Sequence, residues 1–221
     1  IIVQAMGGIM SITGPEGGEP TRVGASVGDI IAGLFTTIGV SMALYHRAMT
    51  GEGQKIDVSM LDCQVAVLEN AISRYLVNGE IPGPIGNRHP SITPFEGFTA
   101  SDGNVIVGAG NDRLWKKLCD LLGKPELITD PRFVTNGDRT NNQKALKPIL
   151  DSVFKTKTID AWLVVLEEAG IPCAPINTVD RVLKDPQIKA RNMIVEVEHP
   201  VAGKMHIPGV PIKMSQTPGT V

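Results

Sequence analysis

The sequence is poor in the features that would assign it to a nucleic-acid-binding or membrane class. Its 221 residues carry 21 basic and 23 acidic side chains, and the basic residues are scattered, so a polyanion has no obvious landing site. No charged-then-apolar signal peptide opens the chain. The richest apolar run, near residues 30–49, is diluted by Gly and hydroxyl residues and is expected to be too short to span a bilayer. We therefore expect neither nucleic acid nor a membrane among the partners.

Cysteine is equally scarce. Cys63, Cys119 and Cys173 are odd in number and far apart, so they form neither a metal-ligand spacing nor a disulfide framework. This pattern is typical of a reducing compartment. It predicts a cytoplasmic protein without a metal site.

The chain also lacks an initiating Met and opens on Ile1-Ile2-Val3-Gln4-Ala5-Met6, as though partway through an element. We expect a fragment, or a mature chain without its front end. Its length still allows one large core or two small ones. Twenty-four Gly and 16 Pro indicate that turns and loops form much of the structure.

Apolar periodicity predicts the helices of the first part of the chain. A long helix is expected from Ile30 to about Met49, with Gly51 at its end. Residues 55–59 predict a short strand and residues 61–77 a second helix. After an irregular proline-rich segment, the pattern predicts a hairpin over 95–107, helices near 111–122, 140–155, 158–169 and 178–184, and strands near 193–198 and 204–207.

Asp29 is the residue whose position carries the most chemistry. It lies between a glycine-rich turn and the predicted long helix, in Gly28-Asp29-Ile30. A carboxylate at a helix start faces unpaired backbone N–H groups and the positive end of the helix dipole, which keep it ionised. An ionised carboxylate is the form that attacks an acyl carbon. The alternative is that Asp29 is an ordinary N-cap, since Asp is favoured there.

Short motifs follow one another in a fixed order along almost the whole chain. They are Gln4-Ala5-Met6-Gly7-Gly8, Gly14-Pro15-Glu16-Gly17, Gly28-Asp29-Ile30-Ile31-Ala32-Gly33, Thr50-Gly51-Glu52-Gly53-Gln54, Asp57-Val58-Ser59-Met60-Leu61-Asp62, Gly86-Asn87-Arg88-His89-Pro90, Asp102-Gly103, Asp130-Pro131-Arg132-Phe133, Gly170-Ile171-Pro172 and Asp185-Pro186-Gln187. Together they resemble the class III CoA-transferase family, which includes formyl-CoA and carnitine-CoA transferases and the related 2-methylacyl-CoA racemases.

The resemblance implies a fold class and a domain organisation. The family is α/β, and this stretch would be α+β: a helical part of the large CoA-transferase domain followed by a small α+β domain. The implied boundaries are 1–80 for the C-terminal part of the large CoA-binding domain, 81–94 for a linker and substrate loop, 95–190 for the small domain, and 191–221 for C-terminal strands and a return segment. The family's N-terminal Rossmann-like half has no counterpart here. Family subunits interlock as ring-like dimers, so a homodimer is expected.

The resemblance also implies site residues. Asp29 matches the catalytic aspartate, and Met60 matches a position that contacts CoA. The family's glycine-rich loop matches Gly86 to Ser91, which gives Gly86, Asn87, Arg88, His89 and Pro90 as substrate-binding residues. The backbone N–H groups of Gly86 and Asn87 are candidates for stabilising an oxyanion. The alternatives without a functional role are that His89 is exposed, that Arg88 is solvated and that Met60 only fills the core.

The implied reaction is a ping-pong transfer of CoA between small carboxylic acids, with acyl-CoA as substrate and no metal. Asp29 would carry CoA as a thioester. One alternative is an acyl-CoA racemase, which uses an Asp and a His to move a proton; the family's His would precede residue 1. The other is a truncated, non-catalytic partner chain.

Overall fold

The computed structural model describes residues 1–220, which form eleven helices, one 3₁₀ turn (Ile9–Ile12) and five strands. The helices are α1 (Ile2–Met6), α2 (Val27–Thr50), α3 (Met60–Ala66), α4 (Asn70–Asn78), α5 (Asp112–Leu121), α6 (Glu126–Thr129), α7 (Asn136–Asn141), α8 (Gln143–Phe154), α9 (Ile159–Glu168), α10 (Val179–Lys184) and α11 (Pro186–Ala190). The strands are β1 (Phe95–Ala100), β2 (Gly103–Gly108), β3 (Cys173–Pro175), β4 (Ile194–His199) and β5 (Gly203–Pro208).

Two small sheets account for the strands. One has the order β1-β2-β3, and the other is the antiparallel pair β4-β5. Ile194 lies opposite Pro208, and His199 lies opposite Gly203. The hairpin over 95–107 and the two late strands are therefore confirmed, and the mixed architecture agrees with the α+β character expected of this stretch.

The first compact unit consists of Ile1–Gly97 and Val107–Leu150. Its largest fully buried apolar side chains are Trp115, Leu118, Phe133, Leu146 and Leu150. The helix expected near 111–122 is confirmed as α5, and the Asn111 Oδ1 atom accepts a 2.9 Å hydrogen bond from the Leu114 N–H. That cap pairs one of the first N–H groups of the helix, which would otherwise have no partner.

The second compact unit consists of Phe98–Ile106 and Asp151–Val221. Its aromatic core joins Phe98 to Phe154 at 4.6 Å between ring centroids, and Phe154 to Trp162 at 4.8 Å. The indole N–H of Trp162 donates to the Phe154 carbonyl at 2.7 Å, so this buried polar group is satisfied. Both units are defined by contacts within this chain, and the domain boundaries expected from the sequence stay a prediction.

Helix α2 begins three residues before the expected Ile30, and its apolar side chains are largely exposed. Leu34, Ile38, Met42 and Tyr45 are 58%, 54%, 68% and 70% accessible to solvent. The helix ends as predicted at Gly51, whose N–H donates to the Arg47 carbonyl at 2.8 Å. Within the described residues, α2 therefore presents a broad apolar surface that nothing covers.

By length and apolar composition α2 is the one helix in residues 1–220 that could cross a membrane. The expectation that its polar residues dilute the run too far was wrong. The hydroxyls of Thr36, Thr37 and Ser41 donate to helix carbonyls four residues earlier at 2.7–2.9 Å, so their polarity is satisfied inside the helix. A core helix of a water-soluble protein meets the same two criteria.

Two further expectations were wrong. Residues 55–59 belong to no strand of the structure. The single helix expected over 61–77 is two helices, α3 and α4, separated at Val67–Glu69. Glu69 takes a φ of 51°, which is outside the helical region and stops one regular hydrogen-bond ladder from continuing through it.

Candidate active site

Asp29 lies in the first turn of α2. The helix is capped by Ser26, which precedes it with φ −75° and ψ 59°, and the Ser26 carbonyl accepts from the Ile30 N–H at 3.0 Å. The alternative of Asp29 as the N-cap is therefore wrong. Its side chain is exposed and has no hydrogen-bond or ion-pair partner within residues 1–220. A carboxylate in this position faces the N-terminal N–H groups and remains available to a ligand.

Gly28 explains how the chain presents Asp29. A Cβ atom at Gly28 would lie 2.6 Å from Val3 Cγ1 and 3.7 Å from Met60 Cε. A side chain at residue 28 would require Val3 of α1 to shift, whereas the distance to Met60 of α3 is an ordinary contact. Met60, the first residue of α3, is 39% exposed, so it is not a fully buried core residue.

Gln4 supports the same region and was missed by the sequence reasoning. It is buried, and its Oε1 accepts from the Val23 N–H at 2.9 Å while its Nε2 donates to the Ala25 carbonyl at 3.4 Å. These contacts join α1 to the segment directly before α2, 19 and 21 residues further along. The sequence around Gln4, Gln4-Ala5-Met6-Gly7-Gly8, does not indicate that its side chain binds Val23 and Ala25.

The loop from Gly86 to Ser91 is fixed at its start by a backbone hydrogen bond. Gly86 has a φ of 65°, a conformation that favours glycine, and its N–H donates to the Gly14 carbonyl at 2.9 Å. That N–H is therefore already used, which removes Gly86 from the expected pair of oxyanion donors. The Asn87 N–H remains the candidate from this loop.

His89 is half-buried and held in a defined orientation. Its ring stacks on Phe95 with centroids 5.7 Å apart and an interplanar angle of 3°. Its backbone N–H donates to the Phe95 carbonyl at 2.8 Å, and its Nδ1 accepts from the Ser91 N–H at 3.2 Å. Because Nδ1 is an acceptor here, a neutral ring carries its proton on Nε2.

The far end of the loop is anchored by Arg139, a fully buried residue of α7. Its Nε donates to the Thr93 carbonyl at 2.8 Å, and its Nη2 donates to the Gly110 carbonyl at 2.7 Å and to Asp112 Oδ1 at 3.2 Å. Its guanidinium also lies 5.1 Å from the centre of the Trp115 ring. Burial lowers the pKa of the guanidinium from its usual value, and the hydrogen bond that it donates to Asp112 opposes that shift.

Asn136 adds a second anchor from the same helix. Its Nδ2 donates to the Ser91 carbonyl at 2.8 Å, and its Oδ1 accepts from the buried Thr93 N–H at 3.0 Å. The Asn136 side-chain amide therefore satisfies the backbone groups of the two residues that flank residue 92. Neither anchor residue stands out in the sequence, because each acts on a segment more than 40 residues earlier.

The loop lies between two cavities of the first compact unit. One, of about 360 Å³, is lined by Gly86, Arg88, His89 and Pro90 from the loop and by Asn70 and Arg74 from α4. The other, of about 380 Å³, takes Asn87 and Arg88 from the loop and four residues with ionisable side chains from outside it: Glu16, Glu96, Lys144 and Lys147. Arg88 lines both cavities.

The expected site residues therefore form two groups. Met60 lies beside Gly28, the residue that precedes Asp29, and Gly86 to Pro90 form the loop. No hydrogen bond or ion pair links the two groups within the described part of the chain. Among residues 1–220 there is also no cluster of three or more His, Cys, Asp and Glu side chains that could hold a metal ion.

Comparison with known proteins places these features in a family. The model of CoA-transferase family III matches residues 1–221. The chain is 45% identical over 215 residues to the acetyl-CoA:oxalate CoA-transferase of Acetobacter aceti, covering 97% of this chain and 54% of that protein. It is 35% identical over 215 residues to the human succinyl-CoA:glutarate CoA-transferase, covering 97% and 49%.

A solved structure shows the same fold. The crystal structure of a CaiB/BaiF family protein from Brucella suis has a TM-score of 0.81 and 40% sequence identity, covering 98% of this chain and 56% of that one. The chain thus belongs to CoA-transferase family III. It spans about half the length of the curated relatives that it matches.

Proposed function

We propose that the full-length protein transfers CoA from an acyl-CoA to a carboxylic acid, with Asp29 as the nucleophile. The observation that carries the proposal is an exposed Asp29 carboxylate, without a partner in residues 1–220, in the first turn of α2. Family membership supports the reaction class. A carboxylate oxygen attacks an acyl carbon without a general base, so Asp29 needs no partner side chain to act as the nucleophile.

The first half-reaction moves CoA onto the enzyme. A carboxylate oxygen of Asp29 attacks the thioester carbonyl carbon, the carbon–sulfur bond breaks, and CoA leaves as a thiolate. The product is a mixed anhydride between Asp29 and the donor acid. The thiolate then attacks the Asp29 carbonyl carbon, the anhydride carbon–oxygen bond breaks, and the donor acid leaves as a carboxylate. An aspartyl-CoA thioester remains.

The second half-reaction repeats these steps with the acceptor. The acceptor carboxylate attacks the aspartyl thioester, expels the CoA thiolate and forms a second anhydride. The thiolate attacks the acceptor carbonyl and releases Asp29 as a carboxylate, so no net proton is exchanged. The Asn87 N–H would stabilise an oxyanion in these steps, and the loop around it would limit hydrolysis of the anhydride.

We propose short dicarboxylic acids as the acid substrates. The two relatives described above are named for oxalate and glutarate, which are both dicarboxylic acids. Arg88 and His89 in the loop provide polar groups for such an acid, and Met60 beside Gly28 would contact the CoA. Under this proposal the two carboxylates of the acid, rather than the carbon chain between them, determine recognition.

The proposal extends to assembly and location. The exposed apolar surface of α2 supports a homodimer in which other parts of the protein cover that helix. The three cysteines form no disulfide within residues 1–220, and this is compatible with a cytoplasmic protein. Analytical ultracentrifugation of the full-length protein tests the dimer, and a monomer at micromolar concentration would contradict it.

The nucleophile is tested by two substitutions in the full-length protein. Asp29→Ala should lower kcat by about 10⁴-fold or more, because no covalent intermediate forms. Asp29→Asn should prevent formation of the enzyme thioester. Asp62→Asn is the matched control, since Asp62 is an exposed first-turn carboxylate of α3, and it should leave kcat within about twofold.

Trapping distinguishes the transferase from the racemase alternative. Hydroxylamine or borohydride should modify the Asp29 carboxyl only after acyl-CoA is added. Labelling of a different carboxyl would refute the assignment. Deuterium uptake at C2 of the acyl group in the absence of an acceptor acid would favour the racemase, whereas CoA transfer that requires a second carboxylate supports the proposal.

A further inference from the structure

The 380 Å³ cavity beside the loop has the charge pattern of an anion site. Arg88 comes from the loop, Lys144 and Lys147 come from α8, and the only carboxylates among the residues that line the cavity are Glu16 and Glu96. Three cations therefore face two carboxylates. The volume lies at the small end of ligand cavities, which span roughly 300–1,000 Å³.

Glu16 is paired with two of these cations, Arg88 and Lys144, without a short hydrogen bond to either. Its Oε2 is 3.7 Å from Arg88 Nε, and its Oε1 is 3.5 Å from Lys144 Nζ. Both distances exceed the usual hydrogen-bond range of about 2.7–3.2 Å. The Glu16 side chain is 45% exposed, and a competing anion would break no short hydrogen bond of its carboxylate to Arg88 or Lys144.

The Arg88 Nε atom is buried and has no hydrogen-bond acceptor within residues 1–220. A buried guanidinium N–H without an acceptor is unfavourable, and an ionised acceptor forms its strongest hydrogen bond. The ion pair with Glu16 compensates the charge but leaves this donor unused. A carboxylate that entered the cavity would satisfy it.

The rest of the cavity favours a short organic acid over a bare inorganic ion. Ile85 and Pro148 provide apolar wall, and the floor contains Glu96, whose Oε2 accepts a 2.8 Å hydrogen bond from Gln143. Both floor residues are buried. The apolar wall suits methylene groups, while the carboxylate of Glu96 limits the total negative charge that the cavity accepts.

We propose that this cavity binds one carboxylate of a short dicarboxylic acid, and that Glu16 is a built-in competitor that the acid displaces. The ligand carboxylate would bridge Arg88 and Lys144 as the Glu16 carboxylate does now, but at hydrogen-bond distance. The identity of the ligand rests on the proposed function. The pocket assignment itself depends only on the charges and distances around Glu16.

The decisive variant is Glu16→Gln, because the proposal predicts a gain. Removing the competing charge should lower the Kd for glutarate about two- to fivefold, the range expected for an exposed ion pair. Arg88→Gln should raise this Kd about tenfold, and Lys144→Gln about threefold. Glu19→Gln and Lys116→Gln are matched controls, since both side chains are exposed and unpaired within residues 1–220, and they should leave the Kd unchanged.

The measurement is calorimetric titration of the full-length protein with glutarate, oxalate, butyrate and inorganic phosphate, without acyl-CoA. Glutarate should respond to Glu16→Gln, and phosphate should bind at least tenfold more weakly. Equal binding of phosphate would overturn the assignment to a carboxylate. A Kd for glutarate that stays constant or rises in Glu16→Gln would overturn the competitor role.

Steady-state kinetics keeps this inference separate from the proposed function. Glu16→Gln should lower the KM for the acid and leave the KM for acyl-CoA unchanged, which a purely structural role of Glu16 would not do. If Asp29 is essential but Glu16→Gln does not change acid affinity, the inference alone fails. If Asp29→Ala retains full activity, the proposed nucleophile fails and the calorimetric result still decides the pocket.

Discussion

The Arg139 guanidinium donates a 2.8 Å hydrogen bond to the carbonyl of Thr93, which lies 46 residues earlier in the chain. The same side chain donates to the Phe133, Val134 and Gly110 carbonyls. One buried cation thus fixes the segment after the candidate substrate loop to the residues that follow β2 and to those that precede α7.

Replacing Arg139 should destabilise the protein strongly. In Arg139→Gln the shorter amide cannot reach all four carbonyls, and buried acceptors lose their partners; we expect a loss of about 3–5 kcal/mol in the free energy of unfolding. Urea unfolding of the full-length protein measures it. Arg132→Gln is the control, because its ion pair with Asp130 at 2.7 Å lies at the surface and should matter much less. Equal losses would contradict the anchoring role.

Asn136→Ala should act on both stability and acid binding. The Thr93 N–H would lose its 3.0 Å acceptor in a buried position, which costs about 1–3 kcal/mol. Because the freed segment adjoins the loop, the KM for the acid should rise about threefold or more while the KM for acyl-CoA stays constant. Asn141→Ala, an exposed position at the end of α7, should change neither quantity. A parallel rise of both KM values would argue against a selective effect on the loop.

Gly28→Ala should loosen the first turn of α2. The new methyl group would lie 2.6 Å from Val3 Cγ1, and relieving this overlap should cost about 1–3 kcal/mol. For Gly33→Ala in the same helix, no described atom apart from the chain neighbours and the helix backbone lies within 4 Å of the added methyl, and the change should be neutral or stabilising by about 0.5–1 kcal/mol. Thermal unfolding of both variants provides the comparison. If Gly33→Ala is as damaging as Gly28→Ala, the close contact between residue 28 and Val3 does not explain the loss of stability.

Cys119 should make stability fall at alkaline pH. Burial, assisted by the charge of Asp120, raises the pKa of its thiol from 9.0 to about 12. The folded protein therefore holds this proton more tightly than the unfolded chain does. The resulting stabilisation is fully present below pH 9 and is lost as the pH rises from 9 towards 12.

The pH effect is measured by urea unfolding between pH 8 and pH 10.5. The wild-type free energy of unfolding should fall more steeply over this range than that of Cys119→Ala. The thiol should also resist iodoacetamide at pH 8 in the native protein. Identical slopes for the two proteins would contradict the raised pKa of Cys119.

Local patterns predicted the elements but not the contacts that organise the site. The helix α2, its end at Gly51 and the hairpin followed from periodicity and turn residues, which act over a few positions. The break at Glu69 did not, because a single positive φ depends on how the two flanking helices pack. Gln4, Asn136 and Arg139 bind segments 19 to 46 residues away, and no nearby residue reveals such pairing.

In the candidate site too, features set by neighbouring residues could be predicted from the sequence, and features set by distant contacts could not. The position of Asp29 near a helix start could be predicted from Gly28 and the apolar run that follows. Whether Asp29 or Ser26 caps the helix depends on backbone angles that the sequence does not specify. The use of the Gly86 N–H by Gly14 and the approach of Glu16 to Arg88 both require the turn-rich segment near residue 15 to fold back over some 70 positions.

The exposed apolar surface of α2 has a practical consequence for preparing this polypeptide. A helix of 24 residues is about 36 Å long at 1.5 Å per residue, and isoleucine, leucine and methionine side chains meet water along it. The 221-residue polypeptide expressed by itself should aggregate and bind hydrophobic dyes such as ANS. Ligand screening therefore needs a form of the protein in which the apolar surface of α2 is covered.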